Sequence, residues 1–415
     1  KQVSRKKDTH IGTLLKDYYQ IEGKSINEKN TKWIQDDYVK FIRFAQNKIE
    51  QQGKGLVAIV TNHAFLDNPT FKGMRYSLMK TFNQIYIIDL HGNSKKKEKT
   101  PTGEKDENVF DIQQGVCVTI FIKKEKLPKK IMRADFWGKR HSKNQQLYDA
   151  NWKNIEWQTL QPTAPFYLFA YQNEELKQKY RKWHSIKDIF IENSVGIVTA
   201  RDKLCIQFSE EDIKMAANDF AKLDEETARK KYNLGKDARD WTVKRAQQDL
   251  ISSEFKDENF MPISYRPFDT RYTYYTGKSR GFQCMPRGKI MKYMAEEDNF
   301  ALITSRIVKG GGFHHAFVSK TITNGALLAT NTASSSYVFP LYVYRDSINK
   351  NSEAVLERLS NISHSFWLFL KKQYNETITG EELVAYIYAI LHSDLYRKRY
   401  INFLRIDYAR IPFCD

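Results

Sequence analysis

The densest chemistry in the chain is a run of arginines and tyrosines, Tyr265-Arg266-Pro267-Phe268-Asp269-Thr270-Arg271-Tyr272-Thr273-Tyr274-Tyr275, which continues past Lys278 and Arg280 to Phe282. Arg287 and Arg306 follow it. A guanidinium can fork onto a guanine edge or onto a phosphate, and a tyrosine can stack or donate a hydrogen bond. The same run has a plainer reading. An alternating strand turns some of its aromatics to the core, and internal pairs such as Arg266 with Asp269 would make the stretch a buried, tyrosine-rich hairpin. Both readings stand at this level, some members being structural and others reaching a ligand.

Other chemistries find less support. The 9 histidines form no HExxH pair and no cluster with zinc spacing, so no metal site is expected. His314-His315 follows Gly310-Gly311-Gly312-Phe313, which is either a loop able to touch a phosphate or an ordinary surface loop. No Gly-x-Gly-x-x-Gly and no P-loop pattern occurs, which argues against a nucleotide cradle. Glu22-Gly23-Lys24 is a tripeptide of a kind some nucleases use, but no acidic partner stands convincingly before it.

Charge narrows the partner. The chain has 415 residues, with 67 Lys and Arg against 49 Asp and Glu, a net charge of +18. Such a surplus favours a polyanion, because each cation placed on a phosphate releases a counterion. With 24 Tyr and 25 Phe interleaved, the chain suits a nucleic-acid binder that also stacks on bases. A generally basic protein with no such partner is the alternative. No apolar run reaches the roughly 20 residues of a membrane helix. Four scattered cysteines give neither a disulfide framework nor a metal pair, so a cytoplasmic setting is expected.

The elements that must position these residues fall into three stretches. Residues 1–130 read as α/β. The spacing of Val39, Ile42, Ala45 and Ile49 predicts a helix over 37–49 with Gly53 beyond its end, and Asn68-Pro69 starts a second. Leu56-Val57-Ala58-Ile59-Val60 and Ile85-Tyr86-Ile87-Ile88 are apolar runs expected to be strands buried on both faces, with a third strand over 116–122, in an open, mostly parallel sheet. Between the later strands, 91–108 is a long polar loop carrying Lys95-Lys96-Lys97, either a solvated charge run or a DNA contact. Residues 151–345 read as an α+β module. In 350–415, Leu356, Leu359, Ile362, Phe366 and Leu370 are expected on one helical stripe. Thr379-Gly380-Glu381-Glu382 predicts a capping box that opens a helix faced by Leu383, Ile387, Ile390 and Leu391.

Several stretches together resemble the fused methyltransferase and target-recognition regions of single-polypeptide restriction–modification enzymes that methylate adenine N6. They include 36–44, 55–66, Phe71-Lys72-Gly73-Met74-Arg75, Asp89-Leu90-His91-Gly92-Asn93, 108–116, Thr199-Ala200-Arg201-Asp202, Asp240-Trp241, Tyr265-Arg266-Pro267-Phe268-Asp269, 339–344 and Arg410-Ile411-Pro412-Phe413. They run in family order over nearly the full length. The resemblance implies a partial Rossmann-like methyltransferase sheet in 1–130, a target-recognition domain in 151–345 and a helical segment over 350–415 packed on it. It also implies that the chain is a fragment. The glycine-rich turn that holds S-adenosylmethionine and the Asn-Pro-Pro-Tyr motif that holds the adenine belong upstream, so this chain alone should transfer no methyl group.

By the same resemblance, Phe110 would stack on a flipped adenine, its other reading being a core residue at a strand start. Arg266, Arg271, Arg280, Arg287 and Arg306 would contact double-stranded DNA, with Lys278 and Lys309 on phosphates. Arg201 is a further DNA candidate, unless it forms an internal pair with Asp202. Nuclease or translocase domains of the same polypeptide are expected as partners. The alternative is a non-catalytic nucleic-acid-binding module.

Overall fold

The computed structural model describes residues 8–28, 31–295, 298–308, 312–329, 334–348, 354–374 and 377–413. The chain divides into two compact units, residues 1–173 and 174–415.

In the first unit, helix α1 (Asp37–Gln52) ends at Gly53, whose φ of 73° is the left-handed cap that glycine adopts freely. Strand β1 (Gly55–Asn62) follows, then a 3-10 turn capped by Asn68 and opened by Pro69, then α2 (Lys72–Thr81). Strands β2 (Gln84–Asp89), β3 (Val116–Lys123) and β4 (Lys130–Asp135), helix α3 (Arg140–Asp149) and the short β5 (Gln158–Thr159) complete it. The sheet order is β1-β3-β2-β4-β5. Val39, Ile42, Met74 and Leu78 of the helices pack on Ile85, Ile87 and Phe121 of the sheet.

The sheet is mainly antiparallel, against expectation. Only β2 and β4 pair in parallel; β3 runs antiparallel to both β1 and β2. The β1–α2–β2 crossover does make β1 and β2 point the same way. The later strand β3 then inserts between them in reverse, which periodicity within any one strand cannot reveal. Strand β1 is likewise not buried on both faces. It pairs with β3 alone among the described residues, and Leu56 and Val60 are 59% and 52% exposed while Val57 and Ile59 pack inward.

The second unit is built on two four-stranded sheets. One contains β7 (Ile206–Gln207), β9 (Asp269–Tyr274), β8 (Phe260–Arg266) and β12 (Ile322–Thr323) in that order. The other contains β11 (Ala316–Ser319), β10 (Ala301–Ser305), β13 (Ser336–Pro340) and β6 (Ser194–Val195). Helices α4 (Glu210–Lys222), α5 (Val243–Ser252) and α6 (Gly288–Ala295) accompany them. The core is aromatic: Phe220, Trp241, Tyr274 and Phe282 pack against Ile263 and Ile303.

At the C-terminal end the Leu356 stripe is not helical. Residues 342–348 and 354–360 pair as a hairpin, and helix α7 (His364–Tyr374) starts only afterwards. Leu356 is 46% exposed, whereas Phe366 and Leu370 are buried. Leucines three residues apart fit a helix, but Val355 and Leu359 within a run rich in β-strand pairing partners fit a hairpin equally well until the partner strand is known. Helix α8 (Gly380–His392) carries the expected capping box from Thr379 and Glu382, with Leu383, Ile387 and Leu391 buried. The contrast can be measured. Leu370→Ala should lower stability in chemical denaturation by about 2–5 kcal/mol through lost burial and a cavity. Leu356→Ala should stay within about 0.5 kcal/mol of the parent.

Candidate nucleic-acid interface

The segment Val198–Asp202 is the hub of the site. Val198 and Met285 exchange backbone hydrogen bonds of 3.0 and 2.8 Å, and the Cys284 amide donates to Thr199 O at 3.3 Å. Ala200 lies in the left-handed region, φ 64°. The Thr199 hydroxyl donates to Asp202 Oδ1 and itself accepts from the Arg201 amide. This clasp directs Arg201 onto the fully buried Trp241, with the guanidinium 4.7 Å from the ring centre. Its terminal nitrogens donate to Ala200 O and Lys236 O at 2.8 and 3.0 Å. Arg201 Nε is buried and has no partner among the described residues. The alternative pairing of Arg201 with Asp202 is not the one found: Asp202 accepts from Tyr265 Oη at 3.1 Å and lies 3.7 Å from Arg266.

The β8–β9 hairpin brings the next arginines. The register shifts between Ser264 and Arg266, so Tyr265 is bulged out of the ladder. The Arg266 and Arg271 guanidinium groups both sit over the Tyr265 ring, at 3.7 and 4.4 Å, and Arg271 also lies 4.1 Å from the Phe208 ring. Asp269 holds Arg271 through contacts of 3.0 to 3.1 Å. The pairing is therefore Arg271 with Asp269 and not Arg266 with Asp269. Residues 269 and 271 share a face of β9, whereas Arg266, across the turn, takes Tyr265 O and Asn324 Oδ1.

Pro267 and Phe268 form the turn itself. Proline fixes its own φ, which leaves the left-handed position to Phe268, with φ 61°. Glycine or asparagine suits that position; a bulkier L residue there costs about 1–2 kcal/mol. Phe268 is 96% exposed, and among the described residues its ring meets that of Phe317 edge to face at 5.2 Å between centroids.

On the other side of the hub lies a cleft of about 680 Å³. Arg239, Arg280, Arg287 and Lys289 line it, against Glu192 and Asp240. Asp240 lies 2.6 Å from Arg239 and 3.3 Å from Arg280. Arg280 and Arg287 both have left-handed backbones, at φ 63° and 59°, and Arg287 Nε is buried without a partner among the described residues. Burial, with the charge of Asp240, pushes the Cys284 thiol up against the opposing charges of Arg201, Arg287 and Arg280. Lys278 reaches Ser252 Oγ at 3.4 Å and the buried Asp249 at 3.9 Å. Arg306, at the end of β10, turns to Asp407 at 3.2 Å. Lys309 lies outside the described residues.

In the first unit, Phe110 stands on a braced loop. It is 50% exposed and six residues before β3, so it is not a core residue. Its amide donates to Asn108 Oδ1 at 2.9 Å, and Arg140 of α3 donates to Asn108 O, Phe110 O and Asp111. Asn108 also bonds Gly92 O and Gln114 O, and a Cβ on Gly92 would come within 2.3 Å of Asn108 Cα. Beneath the loop, the fully buried pair Lys143–Asp106 closes at 2.7 Å, and Asp106 caps the Gly92 and Gly138 amides. The charge run is thus tied down at its base, while Lys96 at its tip pairs with Asp67.

One cluster was not visible in the sequence. His63, Asp89 and His91 place ligand atoms within 4.8 Å of one another, a spacing compatible with a metal ion. The donors do not fit one. His91 Nδ1 faces Glu98 at 3.2 Å, its Nε2 faces Asp135 at 2.8 Å, and Arg133 lies 2.8 Å from Asp89. Burial disfavours the charged imidazole, but the Asp135 hydrogen bond and the charges of Asp89 and Glu98 outweigh it and hold His91 at about 9. Asp89, whose burial is likewise outweighed by Arg133 and His63, stays well below the usual carboxylate range. A cation would have to displace Arg133 and deprotonate His91. The cluster is an ion network that braces the start of the Phe110 loop, with His91 stacked on Trp137 at 3.3 Å.

Arginines stacked on Trp241 and on Tyr265 thus stand on a mixed α/β scaffold of several small sheets. The family model for the Type ISP C-terminal specificity domain matches residues 188–415, more than half of the chain, and the chain belongs to that family. Among solved structures, the chain is similar to the DrdV–DNA complex determined by cryo-EM, at 24% identity and a TM-score of 0.69 over 98% of this chain and 40% of that one. It is similar to the ATP-dependent Type ISP restriction–modification enzyme LlaBIII bound to DNA, at 21% identity and a TM-score of 0.69 over 98% of this chain and 26% of that one. It is also similar to a nuclease-deletion mutant of the Type ISP enzyme LlaGI with a DNA substrate mimic, at 21% identity and a TM-score of 0.66 over 98% and 37%. These likenesses concern the fold, and the chain spans less than half the length of each. No curated protein matches by sequence.

The His91 network gives a pH prediction. Its folded value, about 9, lies above the ordinary 6.5, so its stabilisation is complete below pH 6.5 and is lost as pH rises through 9. The melting-temperature advantage of the parent over His91→Gln should therefore shrink across that window. A constant difference would show that His91 is not held protonated.

Proposed function

We propose that this chain is the DNA-recognising part of a single-polypeptide restriction–modification enzyme, joined to the C-terminal part of its adenine-N6 methyltransferase domain. What supports the reading is a set of arginines held around and beside Val198–Asp202, all within the matched residues: Arg201 lies on Trp241, Arg266 lies near Asp202 and shares the Tyr265 ring with Arg271, and Arg280 and Arg287 line the cleft next to Met285, which pairs with Val198. The guanidinium groups of Arg201, Arg266, Arg271 and Arg280 are each backed by an aromatic ring, a carboxylate or a backbone carbonyl. Little side-chain entropy then remains to be lost when the open edge of one meets a base or phosphate. Arg266 and Arg271, at the turn end of the β8–β9 pair, read base edges. Arg280, Arg287 and Lys278, around the cleft, hold phosphates, with Arg201 between the two groups; Lys309 and Arg306 add to the phosphate grip. The complete polypeptide works in the cytoplasm with nuclease or translocase domains of its own.

The first unit would serve the methyl-transfer step as the closing part of a Rossmann-like sheet. An adenine inside a duplex must be flipped out to react. Phe110, fixed by Asn108 and Arg140, offers the extruded base a ring to stack on. S-adenosylmethionine, when bound to the complete protein, supplies the methyl group. The residues that hold it are not among those of this chain, and no step of the transfer is assigned to them.

The test starts with selection of duplexes from a random library by the 415-residue chain at two salt concentrations, since salt separates the electrostatic term from readout. Arg271→Ala should then reduce the preference for the selected duplex over random duplex by about five- to hundredfold, the worth of one bidentate base contact. Equal loss on both DNAs would make Arg271 a phosphate contact, and failure of the parent to enrich any sequence would contradict specific recognition. In the complete enzyme, Phe110→Ala should slow methylation while leaving duplex binding near normal; unchanged turnover would remove Phe110 from the base pocket.

A further inference from the structure

Phe268 lies outside the buried core, and its ring contact among the described residues is with Phe317. It is 96% exposed, so it buries almost nothing, and its backbone occupies a conformation that phenylalanine adopts only under strain. Strain of this kind persists where the surroundings hold it in place for a purpose. Here those surroundings are stiff. Pro267 precedes it, the Arg266↔Asp269 register closes a two-residue loop around it, and the bulge at Tyr265 re-aims the hairpin end. Near the turn, Arg266 and Arg271 share the Tyr265 ring, and Arg271 is locked to Asp269. An apolar blade on a stiff turn next to two held cations fits one partner chemistry well. The guanidinium groups meet base edges while the ring meets the face of a neighbouring base.

We propose that Phe268 is a wedge that enters a base step of bound duplex DNA and partly unstacks it, next to the base edges that Arg266 and Arg271 read. Apolar side chains pushed between bases kink the duplex, and pyrimidine–purine steps yield most readily. The wedge therefore adds a preference for a deformable step at a position where no base edge is read. This rests on the DNA-recognition reading above.

The experiment places 2-aminopurine at successive positions of a duplex selected by the 415-residue chain and follows its fluorescence on binding. The parent should raise the signal severalfold at one pyrimidine–purine step. Phe268→Asn, which tolerates the left-handed turn and so should melt no lower than the parent, should abolish that rise, whereas Phe268→Leu should keep much of it. Binding of the selected duplex by the parent without any rise, or a rise that survives Phe268→Asn, overturns the wedge and leaves DNA recognition standing. Failure of the parent to bind duplex DNA overturns both.

Discussion

The second unit depends on how Val198–Asp202 is held. The segment leaves the second sheet at Val195, pairs with Thr323 and then Met285, and turns through a left-handed Ala200. It ends with Arg201 lying on Trp241. Trp241 is buried and donates its indole N–H to Phe282 O, so the platform beneath Arg201 is part of the aromatic core. The Asp202 carboxylate, fixed by Thr199, carries that order on to Tyr265 and Arg266. A cation on a flexible stem loses entropy when it binds; one already resting on a ring or a carboxylate loses less. Packing in the core is thereby converted into readiness at the surface.

The first unit applies the same logic with different groups. There the loop that presents Phe110 is held from below by the Lys143–Asp106 pair and from the side by Arg140. A buried ion pair contributes little net stability, but it admits few alternative arrangements of the backbone amides it caps. Asp106 accepts from Gly92 and Gly138, and Lys143 donates to Leu90 O and Glu107 O, which fixes both ends of the loop at once. An exposed ring on a braced loop appears in each unit, Phe110 in one and Phe268 in the other, and in each an arginine stands beside it.

Local signals in the sequence were readable because their physics is local. The Thr379–Glu382 capping box, the Gly53 helix end and the Asn68-Pro69 start all depend on neighbours within a few residues. Facts about pairing were not readable. Whether Leu56 and Val60 are covered depends on which strand lies beside β1, and whether Leu356 belongs to a helix depends on residues 342–348. The arginine-rich run was visible as chemistry, yet the Tyr265 bulge decided which arginine met Asp269. Phe268 was passed over because a phenylalanine between Pro267 and Asp269 looks like core until its φ is known. The His63–Asp89–His91 network joins residues 26 positions apart. The one available signal was Asp89-x-His91 at a strand end, where alternate residues share a face.

The account predicts where a duplex touches the molecule, and amide hydrogen exchange with and without a selected duplex measures this directly. Slowed exchange should concentrate in peptides covering 198–202, 264–271 and 279–289. Unchanged exchange in those three peptides, with protection appearing elsewhere in the second unit, would contradict the claim that the arginines held around Val198–Asp202 form the DNA-binding face.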